Sequence, residues 1–439
     1  MISSPNNCRS DSRYLWTGVA YSGFVIFSFV SLVLRVNGYP IYPSYPPLIL
    51  CIAIGVISSV RRNRIRVPKY DDVLVLGIGL FPFLLSPFAR NSELARESAL
   101  IFIYFSAAYL ITKSFLSKGV ITITSIISAL MVAFYIILII GTLQAVTGTP
   151  IGLIANYFGS GSSEGAYHSD LFRVSATMTS PNVFANCLVF LLPAGLHSLT
   201  SIKKSQSIIL ALLMFIVIVF LLFSSGSRAG LVYFVFSGLC IYMVWLRKDH
   251  AIKNRWLTGF VLLLIFSTVA YSIMTTNIFN NTVASRFFEA TDSGRLSTYR
   301  AAFSILGDPK IILTGVGGGQ FFNELYHKNV LFEYQGWKDP RDIYSTVHNW
   351  MLQILSELGI ITFFVWILFI ISVFRCAVYV FGRDNDILFF MLGINFVILF
   401  LVPLQVDTSI SNPSVLTAIA VTGAVIVHRS KTLEKSHDA

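Results

Sequence analysis

Five polar residues stand at or shortly before the points where long apolar runs begin: Arg173, Asn182, Arg228, His348 and Asn349. The first residues of a helix have unpaired N–H groups and a partial positive charge, so a helix start attracts anions. Arginines add full positive charges, and histidine is the usual proton acceptor near neutral pH. The positive end of a helix also disfavours imidazolium, which leaves such a histidine able to accept a proton. This pattern predicts a site that binds an anion.

Each of these helix starts carries local signals. Ser180 and Pro181 are typical of a cap and a first helical position, and Asn182 follows them. Arg228 ends a Ser-Ser-Gly-Ser-Arg segment, in or beside the first turn of its helix. The third start, at residues 345–349, is expected to place His348 in the first turn.

Simpler explanations exist for each residue alone. An interfacial arginine such as Arg228 can extend to lipid headgroups. Asn182 can serve as a capping partner, and His348 can hydrogen-bond a loop carbonyl. Charges at a membrane edge are nonetheless often functional. Because three helix starts carry such residues, we favour the anion site.

Residues 295–306 have apolar residues at 296, 299, 303 and 306, which form one helical stripe. Arg295 and Arg300 flank this stripe on opposite edges, as expected for a helix lying at a membrane surface. Gly307-Asp308-Pro309 ends the helix. The two arginines either anchor the helix to headgroups or form a basic lip over a phosphate-bearing substrate.

A glycine-rich segment, Gly315-Val316-Gly317-Gly318-Gly319-Gln320, follows. Its backbone N–H groups can face a phosphate, but it lacks the βαβ context of a dinucleotide site and is not a Walker A loop. A tight turn that brings the backbone close to another element is an equally good explanation.

The sequence predicts no metal site. The aspartates of the second long connection are dispersed, without a D-x-D pair, and the five cysteines are scattered without metal-ligand spacing. We expect neither a metal nor another cofactor.

Composition indicates that membrane helices position these residues. Hydrophobic residues make up 55% of the 439-residue chain and charged residues only 12%, against about 25% charged residues in soluble domains. Twelve apolar runs are long enough to cross a hydrocarbon core of about 30 Å. They lie near 14–35, 45–60, 72–88, 97–113, 120–146, 181–199, 207–224, 229–246, 257–275, 348–374, 386–402 and 412–428.

The distribution of positive charge predicts the orientation. The loops and termini on one side of the twelve runs hold twenty Lys and Arg residues, and the short loops on the other side hold four. Cytoplasmic loops carry the excess of positive charge, so we expect both termini to be cytoplasmic. The net charge of +11 therefore reflects topology, and no nucleic-acid partner is predicted.

Two long connections, about 147–180 and 276–347, fall on the exterior side. We expect four regions: helices 1–5 in 1–146, helices 6–9 with the first connection in 147–275, a large periplasmic loop with short helices in 276–347, and helices 10–12 with a cytoplasmic tail in 348–439. Loops held by a rigid scaffold commonly carry function.

Several motifs together resemble the O-antigen ligase family, within the wider group of O-antigen ligases and Wzy-type polymerases. His348-Asn349 is followed by nine residues, Gly359, two residues and Thr362, which is similar to the family's H-N-x9-G-x-x-T pattern. The segment 224–230 resembles the family's Ser/Gly-rich arginine segment. Residues 294–321 resemble its G-R…G-x-G-x-x-F stretch, and 173–182 its arginine-to-Pro-Asn segment.

The resemblance implies an inner-membrane glycosyltransferase of the GT-C type, all-α and with a periplasmic active site. The donor would be a glycan on undecaprenyl diphosphate, and the acceptor lipid A-core or another lipid-linked glycan. His348 would be the catalytic histidine. Arg228 and Arg173, with Arg295 or Arg300, would hold the diphosphate, and Asn182 and Asn349 would line the glycan site.

Alternatives remain at this level. The spacing after His348 favours a ligase over a polymerase that joins lipid-linked repeats. A twelve-helix secondary transporter is less favoured, because such proteins tend to place ionisable residues at the bilayer midplane. A non-catalytic scaffold for polysaccharide assembly is the third alternative.

Overall fold

The structure is a computed structural model that describes residues 12–29, 34–36, 39–41, 43–60, 69–149, 167–168, 171–178, 180–199, 204–248, 293–328, 347, 349–384, 386–405 and 412–437. Helices dominate this part of the chain. Fourteen of them are, in chain order, α1 Ser12–Ser28, α2 Tyr45–Val60, α3 Tyr70–Leu85, α4 Ser92–Ser117, α5 Ile123–Thr147, α6 Pro181–Ser198, α7 Lys204–Ser225, α8 Arg228–Lys248, α9 Ser293–Leu306, α10 Pro309–Thr314, α11 Phe321–His327, α12 Trp350–Asp384, α13 Ile387–Leu401 and α14 Pro413–His437.

Eleven of these helices coincide with predicted apolar runs, and the ninth run, 257–275, lies outside the described residues. Within the described residues, five helices are long and apolar enough to cross a membrane, and five shorter apolar helices accompany them. The protein is therefore a helical membrane protein. The long helices are Tyr70–Phe88, Ser92–Ser117, Ile123–Thr147, Trp350–Asp384 and Pro413–Ser436.

Two small hairpins depart from the all-α expectation. Strand β1 (Leu34–Val36) pairs antiparallel with β2 (Tyr39–Ile41), with Arg35 opposite Pro40. Strand β3 (Tyr167–His168) pairs with β4 (Leu171–Phe172). Both pairs lie in connections between helices, so the helical class is unchanged.

Polar caps set several of the helix boundaries. The Asn91 side chain accepts a hydrogen bond from the Leu94 amide at 3.1 Å and begins α4. Thr122 accepts from the Ser125 amide at 3.1 Å at the start of α5. Gly148 ends α5 in the left-handed conformation, with φ of 64°, which glycine adopts without steric cost.

The last helix lies at the centre of the bundle. The most apolar window of α14 is 89% buried, and α14 contacts α1, α4, α6, α12 and α13. Near its start, Thr417 hydrogen-bonds the Tyr104 hydroxyl at 2.8 Å, and the same hydroxyl reaches Ser28 and Ser44 at 3.1 Å. Since a buried hydroxyl without a partner is costly, this network fixes α1, α4 and α14 relative to one another.

Helices α9, α10 and α11 form a second core over the beginning of α12. The helix predicted at 295–306 is confirmed, and Asp308 caps α10 by accepting from the Lys310 amide at 3.0 Å. Within the predicted stripe, Phe303 is 63% exposed and Leu306 is 9% exposed. Ala301, Ala302 and Ile305 are buried in the second core, and the two small alanine side chains let α9 pack closely on its neighbouring helices.

Helix α12 is broken at Gly359. The backbone there has φ of 79° and ψ of 170°, which divides α12 into a short first part and a long second part. Thr362 donates to the Leu358 carbonyl at 2.9 Å, beside the break. The Gly and Thr of the H-N-x9-G-x-x-T pattern therefore have structural roles in this chain.

Candidate active site

Arg173 begins a short segment that is fixed from three sides. Its Nε donates to the Ser225 carbonyl at 2.8 Å, and the Val174 amide donates to the Ser224 carbonyl at 3.1 Å. These bonds join the segment to the end of α7. The guanidinium of Arg173 is thereby held beside the turn between α7 and α8.

Gln144 of α5 fixes the rest of this segment. Its side-chain oxygen accepts from the amides of Ser175 and Ala176 at 3.2 and 2.8 Å, and its Nε2 donates to the Ala176 carbonyl at 3.0 Å. Thr177 donates to the Phe29 carbonyl at 2.6 Å. Gln144 was not predicted as a site residue, although a polar residue within an apolar run is a signal that could have identified it.

The turn between α7 and α8 presents Arg228. Gly226 has φ of 62°, and the Ser227 side chain accepts from the Gly230 amide at 3.1 Å, which caps α8. Arg228 is the first residue of α8, as predicted, and it is exposed. The turn therefore ends at Arg228 and is hydrogen-bonded by Arg173 at Ser225.

Asn182 lies in the first turn of α6. Ser180 caps that helix by accepting from the Val183 amide at 3.2 Å, and Pro181 is its first residue. One turn later, Ala185 faces Gly230 of α8 so closely that an added Cβ on Gly230 would lie 2.5 Å from the Ala185 Cβ. The first turns of α6 and α8 are therefore neighbours.

The start of α12 differs from the prediction. Asn349 caps the helix by accepting from the Leu352 amide at 3.0 Å, and α12 begins at Trp350. The expectation that His348 lies in the first turn is therefore wrong: it directly precedes the capping residue, because asparagine is a strong cap. His348 itself is outside the described residues.

The contacts of α13 show that the start of α12 lies at the same end of the bundle as the starts of α6 and α8. The Asn395 carbonyl accepts from the Tyr233 hydroxyl of α8 at 2.8 Å, and its Nδ2 donates to the Val189 carbonyl of α6 at 3.0 Å. Further along α13, the Phe400 carbonyl accepts from Trp350 Nε1 of α12 at 2.8 Å. The 3₁₀ turn Pro403–Gln405 that follows contacts both α8 and α12.

We call this end of the bundle the site end; it contains Arg173, Asn182, Arg228 and Asn349. Arg295 and Arg300 belong to α9, which packs on α12. Arg300 is exposed, and the Arg295 side chain is outside the described residues. The structure therefore associates these two arginines with the loop helices, whereas Arg173 and Arg228 share the α7–α8 turn.

The glycine-rich segment docks against the break in α12. The amides of Val316 and Gly317 donate to the carbonyls of Ser356 and Glu357 at 2.8 and 2.9 Å. The Gly319 amide donates to a carboxylate oxygen of Glu357 at 3.1 Å. Of the two explanations of this segment, the close approach of backbones is the one observed, and these three amides are engaged within the protein.

Glu357 was not singled out from the sequence. It is 7% exposed and lies about two turns after Trp350 in the tenth apolar run, where an isolated carboxylate is unusual. That position was the available signal. Its observed partner in the glycine-rich segment indicates a positioning role for Glu357 rather than direct contact with a substrate.

Ion pairs surround the loop helices at the site end. Arg90 pairs with Glu324 at 3.5 Å, and Lys328 pairs with Asp308 at 3.5 Å. The hydrogen bond from the Lys310 amide is the main cause that lowers the pKa of the Asp308 carboxyl, and Lys328 adds to it. In the described part of the chain, no three His, Cys, Asp or Glu side chains come together as metal ligands.

Comparison with known proteins yields one family match. No curated protein matches the chain. Residues 212–367 match the family model described as O-Antigen ligase. This segment contains Arg228, the glycine-rich segment, His348 and the helix break at Gly359, whereas Arg173 and Asn182 precede it. Over these 156 of its 439 residues the chain is similar to the O-antigen ligase family.

Proposed function

We propose that the protein is a membrane glycosyltransferase that moves a glycan from undecaprenyl diphosphate to an acceptor hydroxyl. The observation that carries this proposal is the site end, where the first turns of α6 and α8 adjoin and Arg173 and Arg228 flank one turn. The family match supports glycan transfer of the ligase or polymerase kind.

Arg228 and Arg173 bind the donor diphosphate in this proposal. Arg228 is exposed at the first position of α8, where its charge adds to the partial positive charge of the helix start. The Ser225 carbonyl orients the Arg173 guanidinium toward the same turn. Preorganised positive groups stabilise the charge that develops on a diphosphate leaving group.

His348 is the proposed general base. The acceptor oxygen attacks the anomeric carbon, and its proton moves to the imidazole of His348. The bond between the anomeric carbon and the diphosphate oxygen breaks, and undecaprenyl diphosphate leaves with the electron pair. Direct displacement of this kind inverts the anomeric configuration. Asn349 caps α12 next to this histidine and, with Asn182, lies at the proposed glycan site.

Arg295 and Arg300 have a secondary role in the proposal. Helix α9 packs on the first part of α12, which places an exposed Arg300 on the surface that covers the site end. A basic lip there would attract the phosphate-bearing donor before it reaches Arg228.

The proposed architecture has twelve membrane helices of the GT-C type, two cytoplasmic termini and a site end facing the periplasm. Eleven described helices coincide with predicted spans, and twenty basic residues in the loops and termini of one side support the orientation. The regions 1–146, 147–275, 276–347 and 348–439 are retained as the proposed division. Membrane lipids and lipid-linked glycans are the only partners proposed, with no metal or other cofactor.

The role of His348 is tested by transfer assays in proteoliposomes with an undecaprenyl-diphosphate-linked glycan. We expect His348→Ala to lower the transfer rate at least about a hundredfold, since a positioned base contributes about 10²–10⁴-fold. His327→Ala is the matched control, because His327 is an exposed histidine at the end of α11. Equal rates for His348→Ala and the control would remove the proposed base.

The acceptor distinguishes the two enzyme types. We propose lipid A-core, and thus a ligase, because of the H-N-x9-G-x-x-T spacing. Deleting the gene should abolish all capped lipopolysaccharide on a gel while polymer remains on undecaprenyl. Core that carries a single repeat unit would instead identify a polymerase.

A further inference from the structure

A cavity of about 640 Å³ lies at the end of the bundle opposite the site end. It is formed where α4 and α14 end and α3 begins. Residues of both charge signs, together with leucines, line it: Lys69, Asp72, Leu110, Lys113, Leu116, Lys118, His428, Lys431 and Lys435 are among them.

Ion pairs hold the wall of this cavity. Asp71 of α3 is 5% exposed, and its two carboxylate oxygens accept from Lys113 of α4 and from Lys431 of α14. Lys113 also bridges to Asp72, and the Tyr109 hydroxyl donates to Asp71 at 3.1 Å. Three helices thus converge on one carboxylate, so the cavity is built before any ligand enters.

The lining carries more positive charge than the carboxylates balance. Five lysines line the cavity. Among the described residues, the acidic groups that hold the cavity together are Asp72 in the lining and Asp71 behind it. Pairing within the cluster therefore still leaves an excess of about three positive charges. An excess of this size in a preformed cavity is suited to a dianionic or multiply accepting oxyanion such as a phosphate group.

The position of the cavity relates it to the membrane. Ala95, near the start of α4, contacts the glycine-rich segment of the site end, and Lys113 lies 18 residues further along the same helix. At 1.5 Å per residue this separation is about 27 Å, close to the thickness of the hydrocarbon core. The cavity therefore lies at the level of lipid headgroups, and Leu110 and Leu116 form apolar parts of its wall.

We propose that this cavity binds the phosphate headgroup of an acidic phospholipid. Basic cavities between membrane helices at this level recognise anionic headgroups through lysine ammonium groups, and the leucines contact the adjoining glycerol and acyl carbons. In the proposed orientation, the lipid belongs to the cytoplasmic leaflet. The lipid would join α3, α4 and α14 at the end remote from the glycan site.

The test measures lipid binding to the intact purified protein in a zwitterionic detergent by native mass spectrometry. The probe is dioctanoyl phosphatidylglycerol, and dioctanoyl phosphatidylcholine serves as the headgroup without net charge. The variant is Lys118→Gln/Lys435→Gln, which removes two lining charges and leaves the Asp71 cluster in place. Arg375→Gln/Arg383→Gln is the matched control, because it removes two exposed charges from the same end of α12.

We expect saturable binding of one phosphatidylglycerol, weakened about tenfold or more in the lysine variant and unchanged in the control. Lys118→Arg/Lys435→Arg should retain binding. The proposal would be overturned if Lys118→Gln/Lys435→Gln bound the lipid as well as the unaltered protein. It would also be overturned if the control Arg375→Gln/Arg383→Gln lost as much binding as the lysine variant. Displacement of the lipid by inorganic phosphate at similar concentrations would assign the cavity to a soluble phosphate and overturn the lipid assignment.

Discussion

Arg228 is an exposed arginine at the start of a membrane helix, on a backbone fixed by a cap. It is the first residue of α8, it is exposed, and the capping bond from Gly230 to Ser227 fixes the backbone on which it stands. Arg173 approaches the same turn through its bond to Ser225. At the scale of single residues, the proposed donor site therefore depends on two arginines attached to the same turn.

Replacing Arg228 tests this arrangement. We expect Arg228→Ala to lower glycan transfer about a hundredfold, because removing one preorganised group that stabilises a developing oxyanion costs roughly 10²–10³ in rate. The measurement is the single-turnover rate in proteoliposomes. Arg96→Ala is the matched control, since Arg96 is an exposed arginine in the first turns of α4. An Arg228→Ala rate equal to that of the control would exclude Arg228 from the donor site.

The starts of α6 and α8 could be predicted from the sequence, but the start of α12 could not. Ser180 and Pro181 predict the start of α6, and the helix begins there. Asn349 caps α12, so His348 precedes the helix instead of lying in its first turn. The roles of Gln144 and Glu357 were not predicted, because their hydrogen-bond partners lie 31 and 38 residues away in the chain.

Among the elements, α6 and α8 depend on one close contact. Gly230 has no room for a side chain against Ala185, whereas Gly238, two turns further along α8, has nothing within 4 Å of an added Cβ. Gly230→Ala should push the first turns of the two helices apart and separate Asn182 from Arg228.

We expect Gly230→Ala to reduce transfer at least tenfold, because a displacement of about 1 Å within a catalytic arrangement costs up to roughly a hundredfold. Gly238→Ala should retain the rate of the unaltered protein. Both are measured in the same proteoliposome assay. Similar rates for the two alanine variants would show that the contact does not position the site.

The break in α12 is the second element on which the site depends. Gly359 has a positive φ, and an added Cβ would meet the Leu313 carbonyl and the backbone of Thr314. Gly359→Ala should therefore destabilise the protein by about 1–3 kcal/mol through backbone strain, with additional loss from the steric clash.

The control for this prediction is on the same helix. Gly382 of α12 has nothing within 4 Å of an added Cβ, so Gly382→Ala should be neutral or slightly stabilising. The midpoint of thermal unfolding in detergent distinguishes the two variants. If Gly359→Ala unfolds at the same temperature as Gly382→Ala, the break is not a structural requirement.

Helix existence was predictable from apolar runs, but helix packing was not. The run at 412–428 is no more conspicuous than the others, yet α14 occupies the centre of the bundle. Similarly, the apolar positions of 295–306 did not predict which residues of α9 are buried. Ala301 and Ala302 are buried because they permit close approach, and Phe303 is exposed; a periodicity that favours large side chains does not detect this.

Over the whole molecule, the polar residues of the proposed sites lie at two opposite ends. The site end holds Arg173, Asn182, Arg228 and Asn349, and the opposite end holds the cavity formed around Asp71, Lys113 and Lys431. Helices α4, α12 and α14 connect the two ends. The distribution of basic residues predicts that the cavity faces the cytoplasm and that the site end faces the periplasm.

The central claim is that an outward-facing site combines the α7–α8 arginines with the histidine before α12. It is tested most directly by labelling His348→Cys, in a background without other cysteines, with a membrane-impermeant maleimide applied to cells whose outer membrane has been permeabilised. Lys118→Cys, in the cavity at the opposite end, is the control. The account predicts that residue 348 reacts in these cells and that residue 118 reacts only after the inner membrane is disrupted. Labelling with the reverse pattern would contradict it.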